Sequence, residues 1–328
     1  MLRHAWTIIE LDAARAAEAR ELTAALAREY PAPDDEGFLR AARDRAAALP
    51  RQVVEGLARL RYDDGPPGAV VRGFPVADGE LGPTPAHWRE RAPEATLLHD
   101  YWLALLGSLA GEPFGWATLQ DGRLFHDVLP IRGDEEAQTG HGSSALLEFH
   151  TEDAFHEHRC DHLLLLALRN HDRVPTTLAS VRGVELSADD RDVLFARRFV
   201  VRPDAEHLRH MGAEAAAEFE RPVAVFFGDR DDPAVRIDPP YMAALPGDRE
   251  AAAALERLCA GLESRLSDVV LEPGDTLVVD NQRCVHGRAP FRARLDGTDR
   301  WLRKLTVTRD LRRSAGRRTG TASRVLRG

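Results

Sequence analysis

His150 and Glu152 stand two positions apart at the end of the apolar run Ala145 to Phe149. Residues two apart in an extended chain project to the same face, so one imidazole nitrogen and one carboxylate oxygen can aim at a common point. A third donor, His286, follows the turn Pro273-Gly274-Asp275, the apolar run Thr276 to Val279 and the pair Asp280-Asn281. A sheet that closes on itself can bring it beside the first two. Two imidazoles and one carboxylate on one side of an ion leave coordination positions open, as Fe(II) enzymes require when they bind both a cosubstrate and O2. The HxE tripeptide alone carries little. Its specificity comes from the downstream PGD turn, strand, DN and HGR series, and from Arg300 fourteen positions beyond His286. A zinc hydrolase could use the same three ligands, and His156, His158 and His162 lie close enough in sequence to offer further donors.

The elements that must position these groups change character along the chain. Leu11 to Glu29 is rich in strong helix formers, Glu36 to Leu60 continues in that style with a break at Pro50, and Ala95 to Leu109 stops at Gly111. Residues 1–113 are therefore expected to be mostly helical, with a short β piece at Ala69 to Val71. From Phe114 the texture becomes short apolar runs divided by turn residues: Ala145 to Phe149, Leu163 to Leu168, Thr176 to Val181, Phe199 to Arg202, Val223 to Phe227, Thr276 to Val279 and Leu302 to Thr308. They do not alternate regularly with helices, so a sandwich or barrel is expected over residues 114–310 and a doubly wound sheet is disfavoured. One helix, Arg249 to Leu266, interrupts the late runs. The arginine-rich stretch 311–328 reads as a frayed, disordered, solvated tail. One large domain covers the whole.

Composition narrows the function classes. A formal charge of -9 argues against binding to nucleic-acid backbones. Acidic residues enter the first twenty positions before any apolar run long enough for a leader or a membrane span, so the chain reads as cytoplasmic with no membrane contact. Three scattered cysteines fit neither a disulfide framework nor a thiolate metal site. Of the 44 basic residues only Lys304 is a lysine, and in an extended RWLRKLTV segment it shares a face with Arg300 and Leu302.

The segments HTEDAFHEHRCDHLLLLALRN, TTLAS, VVDNQRCVHGRAPF and DGTDRWLRKLTVTRDLRR resemble the clavaminate synthase-like branch of the Fe(II)/2-oxoglutarate dioxygenases, within the TauD/TfdA superfamily. The resemblance runs from about Phe114 to Arg313. It implies a mainly β fold, a distorted double-stranded β-helix or jelly roll with flanking helices. It implies His150, Glu152 and His286 as Fe(II) ligands, and Arg300 as the partner of the distal carboxylate of 2-oxoglutarate, with O2 as the second cosubstrate. Thr177 would add a hydroxyl to that carboxylate, with Thr176 as the alternative.

The branch includes β-hydroxylases of free arginine and asparagine, so a small amino acid is the implied partner. Lys304 would then hold its α-carboxylate, and Gln120 its α-amino group with help from Glu152, unless Leu119 occupies that place. Ser143 and Ser144 are weaker candidates of the same kind. Asp238 falls where arginine hydroxylases put the first of two acids for the guanidinium, but Pro240 stands at the second. The implied reaction is hydroxylation, most simply at C3, of a polar L-amino acid in specialised metabolism, arginine-like before asparagine-like. C4 hydroxylation or desaturation of a relative such as citrulline is the neighbouring outcome. A zinc hydrolase and a non-catalytic cupin-like binding protein remain the readings from other classes.

Overall fold

The computed structural model describes residues 6–62 and 65–327. Its strands in chain order begin with β1 (Thr7–Glu10), β2 (Gly68–Arg72), β3 (Glu112–Trp116), β4 (Phe125–Val128) and β5 (Leu147–His150). Next come β6 (His162–Arg169), β7 (Thr176–Ser180), β8 (Phe199–Val201), β9 (Phe226–Gly228), β10 (Pro233–Val235) and β11 (Met242–Ala244). The last are β12 (Ser267–Val269), β13 (Thr276–Asp280), β14 (Cys284–Arg288), β15 (Trp301–Thr308) and β16 (Val325–Leu326).

Two sheets make the jelly roll. The larger runs β1-β2-β13-β6-β15-β3-β16, with β4 also paired to β15; the smaller runs β12-β7-β14-β5. The run Leu163 to Leu168 is continuously apolar because both faces of β6 are covered. Leu163, Leu165 and Ala167 join Leu277, Val279 and Leu302 in the layer between the sheets, while Leu164, Leu166 and Leu168 pack outward under helices. The outer face is covered by helices Ala13–Glu29, Glu36–Ala46, Arg51–Ala58 and Leu97–Ala110. Asp12 and Asp35 cap the first two by accepting backbone N–H bonds at 2.9 Å. Pro50 immediately precedes the third, which is the break the sequence places there. Helix Arg249–Glu263 packs its apolar face with Ala179, Val181 and Val285 behind the smaller sheet.

The β piece expected at Ala69 to Val71 is β2, which pairs antiparallel with β13 in the larger sheet. The C-terminal end departs from expectation, for the tail is not frayed over its described length. β16 pairs with β3, and Arg324, buried, bonds Glu36 and Glu112 at 2.9 Å each. An arginine-rich stretch can look solvated while supplying cations to acids that arrive from distant elements.

Candidate active site

The site lies between the sheets, lined by β4, β6 and β15 on one side and by β5, β7 and β14 on the other. β5 and β14 run antiparallel with His150 directly opposite His286, so the two rings meet with centroids 4.4 Å apart. That approach needs glycine next to His286. A Cβ on Gly287 would stand 2.6 Å from the Leu147 carbonyl oxygen, which is backbone and cannot yield. Glu152 follows β5, where Asn281 clasps the chain: its Oδ1 accepts the Glu152 N–H at 2.7 Å, and its Nδ2 donates to the carbonyls of Glu152 and Cys160 at 3.1 and 3.0 Å. The DN pair of the sequence is thus the brace that holds the first ligand segment to the turn carrying the third ligand.

One donor atom from each of His150, Glu152 and His286 lies within 4.8 Å of the other two. Glu152 Oε2 is 3.2 Å from His286 Nε2 and 4.0 Å from His150 Nε2. Bonds of about 2 Å to a shared centre would span such separations. His150 Nδ1 sits 2.9 Å from the Glu148 carbonyl, which fixes the proton there and presents Nε2 to the centre. Burial, and then the His286 ring, push His150 down to about 4, so it is a neutral ligand at neutral pH. Burial works to raise Glu152, but Lys304 and the two imidazoles outweigh it and hold the carboxylate well below its usual range. The donor set fits a divalent ion of the iron type.

Arg300, Leu302 and Lys304 all line this cavity, as the shared face of RWLRKLTV requires. Arg300 is buried, donates to Thr176 Oγ1 at 3.2 Å, and has no partner for its Nε. Burial, then the neighbouring Arg288, lower it to about 9. A cation so placed awaits an anion. Arg288 itself is spent on the loop before β5, donating to the Gly142 and Ala145 carbonyls. Lys304 Nζ lies 2.7 Å from Glu152 Oε1; burial would lower it, but Glu152, Asp153 and Glu206 raise it instead.

Three sequence-derived choices need correction. Thr176, not Thr177, faces Arg300: in the β7–β14 register Thr176 pairs with Arg288 on the cavity side, while Thr177 pairs with Gly287 on the other. Gln120 is turned away, its amide donating to the Asp127 carbonyl at 2.8 Å and accepting the Asp127 N–H at 2.9 Å, and Leu119 lines the cavity in its place. Ser143 and Ser144 line a separate surface groove, where the Ser143 carbonyl accepts the Phe291 N–H at 2.8 Å; Gln138, Thr139 and Gly140 of the same loop reach the cavity.

Among the extra histidines, His156 packs edge-on to Trp116 at 4.6 Å, and His162 is buried in β6, so neither joins the triad. Asp238 is half-buried, and desolvation, then the charge of Asp204, raises it well above its usual range. Asp204 and Glu206 both line the cavity and were not legible in the sequence. They stand at the start of the short helix Ala205–His210, which Asp204 caps by accepting the N–H bonds of Glu206 and His207 at 2.8 and 2.9 Å. No spacing ties that helix to the metal motif; only the fold does.

This architecture and donor set define a mononuclear metal-dependent oxygenase of the jelly-roll type. The chain belongs to the taurine catabolism dioxygenase TauD, TfdA family, whose model matches residues 68–306. It is 44% identical over 321 residues to the enduracididine beta-hydroxylase of Streptomyces hygroscopicus, covering 92% of this chain and 94% of that one. It is 37% identical to the L-ornithine/L-arginine 3-hydroxylase of Catenulispora acidiphila, covering 93% and 95%. Among solved structures, the non-heme iron oxygenase OrfP in complex with Fe, succinate and (3S)-hydroxy-L-Arg superposes with a TM-score of 0.92 at 42% identity, covering 97% of this chain and 99% of that one.

Proposed function

We propose that the protein hydroxylates C3 of a free, arginine-like L-amino acid, with Fe(II) on His150, Glu152 and His286 and with 2-oxoglutarate and O2 as cosubstrates. The class is that of the 2-oxoglutarate-dependent non-haem iron dioxygenases. When bound, the iron with its cosubstrates supplies the oxidising power to replace an unactivated C–H by C–OH. The chain's own residues do the placing. Arg300 and Thr176 offer a guanidinium and a hydroxyl to the distal carboxylate of 2-oxoglutarate. Lys304 offers an ammonium to the α-carboxylate of the amino acid, and the sheets exclude water around both.

The observation that carries the substrate reading is the acid pair Asp204 and Asp238. Pro240 leaves the Asp238 segment one acid short for a guanidinium, and Asp204, which follows β8 and whose charge acts on Asp238, brings a second. Two half-buried carboxylates, both raised above their usual range by desolvation, favour a cation between them. This fits the names of the relatives, which act on enduracididine, ornithine and arginine. A second reading, further oxidation at C4, draws support from OrfP, which has also been solved with (3R,4R)-dihydroxy-L-Arg. The compartment we infer is the cytoplasm; no helix among the described residues is long and apolar enough to cross a membrane.

The test is succinate formation across a panel of free amino acids, with mass and position analysis of each product. Guanidino amino acids should lead, and D204N and D238N should each cost them about ten- to a hundredfold in kcat/KM, as expected for a lost hydrogen bond to a charge. Turnover restricted to carrier-tethered amino acids would overturn the free-substrate reading and leave the iron chemistry standing.

A further inference from the structure

A free α-amino acid carries a carboxylate and an ammonium on one carbon, so its head needs an anion as well as Lys304. Gln120 is turned to the Asp127 backbone and away from the cavity, and the residue that lines the cavity beside it, Leu119, is apolar. Glu152 Oε1 already accepts from Lys304, and its other oxygen belongs to the metal-binding triad. Two further carboxylates act on Lys304: Asp153, whose oxygens are taken by Trp116 Nε1 at 2.7 Å and His207 Nε2 at 3.1 Å, and Glu206. Glu206 lines the cavity, and its charge acts on Lys304 and His126, which face each other across β15 and β4.

We infer that Glu206 accepts the α-ammonium of the substrate and that His141 positions it, an inference that rests on the amino-acid reading above. His141 Nδ1 is tied to the Leu129 carbonyl at 3.0 Å, which directs Nε2 toward Glu206 Oε1 at 3.6 Å. That separation is an ion pair but exceeds hydrogen-bond distance, so the carboxylate keeps acceptor capacity for a closer donor. Glu206 stays ionised: burial would raise it, but His141 and Lys304 bring it down to about 2.

The helix that carries Glu206 is also held to the body by Arg209 on Asp134 at 2.9 Å. An ammonium docked on Glu206 therefore adds a tie between substrate and helix. Asp204, two residues earlier, acts on Asp238 and not on Lys304, and is left with Asp238 for the side chain of the substrate. The division gives the pocket a grip on each end of a basic amino acid and a reason to reject N-acylated ones.

The experiment compares L-arginine with 5-guanidinopentanoate, which lacks only the α-amino group, by calorimetry on the iron-loaded enzyme with 2-oxoglutarate under anaerobic conditions. Wild type should favour arginine by about ten- to a hundredfold, the range for one hydrogen bond between charged groups. In E206Q the preference should collapse to less than about threefold, through weaker arginine binding with the analogue unchanged. H141N should fall between, and E206D should restore part of the preference. Retained stabilisation by 2-oxoglutarate in each variant shows that it folds. Equal weakening of both ligands in E206Q would reduce Glu206 to a helix strut and overturn the assignment, as would a wild type indifferent to the α-amino group. A wild type that binds no arginine at all would overturn the substrate reading, and this assignment with it.

Discussion

Arg300, just before β15, and Arg303, the third residue of β15, are both buried and face opposite sides of the larger sheet. Arg303 points to the helical layer, where Asp100 meets it at 2.7 and 3.0 Å and Asp127 at 2.7 Å. Arg300 points between the sheets and meets one hydroxyl. Burial opposes the charge in both, yet the acids raise Arg303 while Arg300 is lowered to about 9. A buried cation matched by acids within the chain holds the frame together. One left unmatched costs stability until a ligand brings the missing anion.

The largest expected effect comes from breaking the matched side. R303M would strip Asp100 of its ion-pair partner and leave Asp127 with Arg91 alone, and should cost about 3–5 kcal/mol of stability, read as a steep fall in Tm or in soluble yield. R300M should do the reverse, leaving Tm equal to wild type or higher while removing 2-oxoglutarate binding. The ligand itself sharpens the contrast: at a hundredfold excess over its Kd, 2-oxoglutarate should add about 2.7 kcal/mol to wild type and R303M alike and nothing to R300M. A rise in R300M would mean that the cosubstrate is held elsewhere.

T176V should weaken 2-oxoglutarate about tenfold, whereas T177V should leave it unchanged. The smallest effect concerns His141. Burial would lower it, but Glu206 leaves it raised, so its folded pKa lies above its unfolded one. The stabilisation is then complete below about pH 6 and is lost as the pH climbs through the raised value. The Tm gap between wild type and H141N should accordingly close in alkaline solution; a gap that widens there would reverse the sign of the ion pair.

The same strand explains what could be read from sequence. Period two put Arg300, Leu302 and Lys304 on one face, and His150 with Glu152 at one strand end, because alternation is a property of any extended chain. Where absolute register was needed, the reading slipped by one. Thr177 was favoured over Thr176 and Gln120 over Leu119, and a one-residue shift exchanges the cavity face for its opposite. Asp204 and Glu206 were out of reach for another reason. They cap and open a six-residue helix, Ala205–His210, whose position over the site is fixed by contacts with Asp134, His141 and Asp153, all of them distant in sequence. The seven apolar runs all contain or overlap strands, yet β2 and β16 could not be assigned to the larger sheet, since pairing partners are not encoded locally.

The Asn281 clasp carries a consequence for metal selection. The Asn281 side-chain amide holds the Glu152 backbone to the turn leading to His286, so the three donors are gathered by the fold and not by the ion. A socket formed in advance gains little discrimination from having to be assembled. Two nitrogens and one oxygen would bind cobalt, nickel or copper at least as tightly as iron, following the general order of divalent affinities. Which metal occupies the site in a cell is then set by supply and by exchange rates, and an enzyme isolated with the wrong ion would be correctly folded and silent.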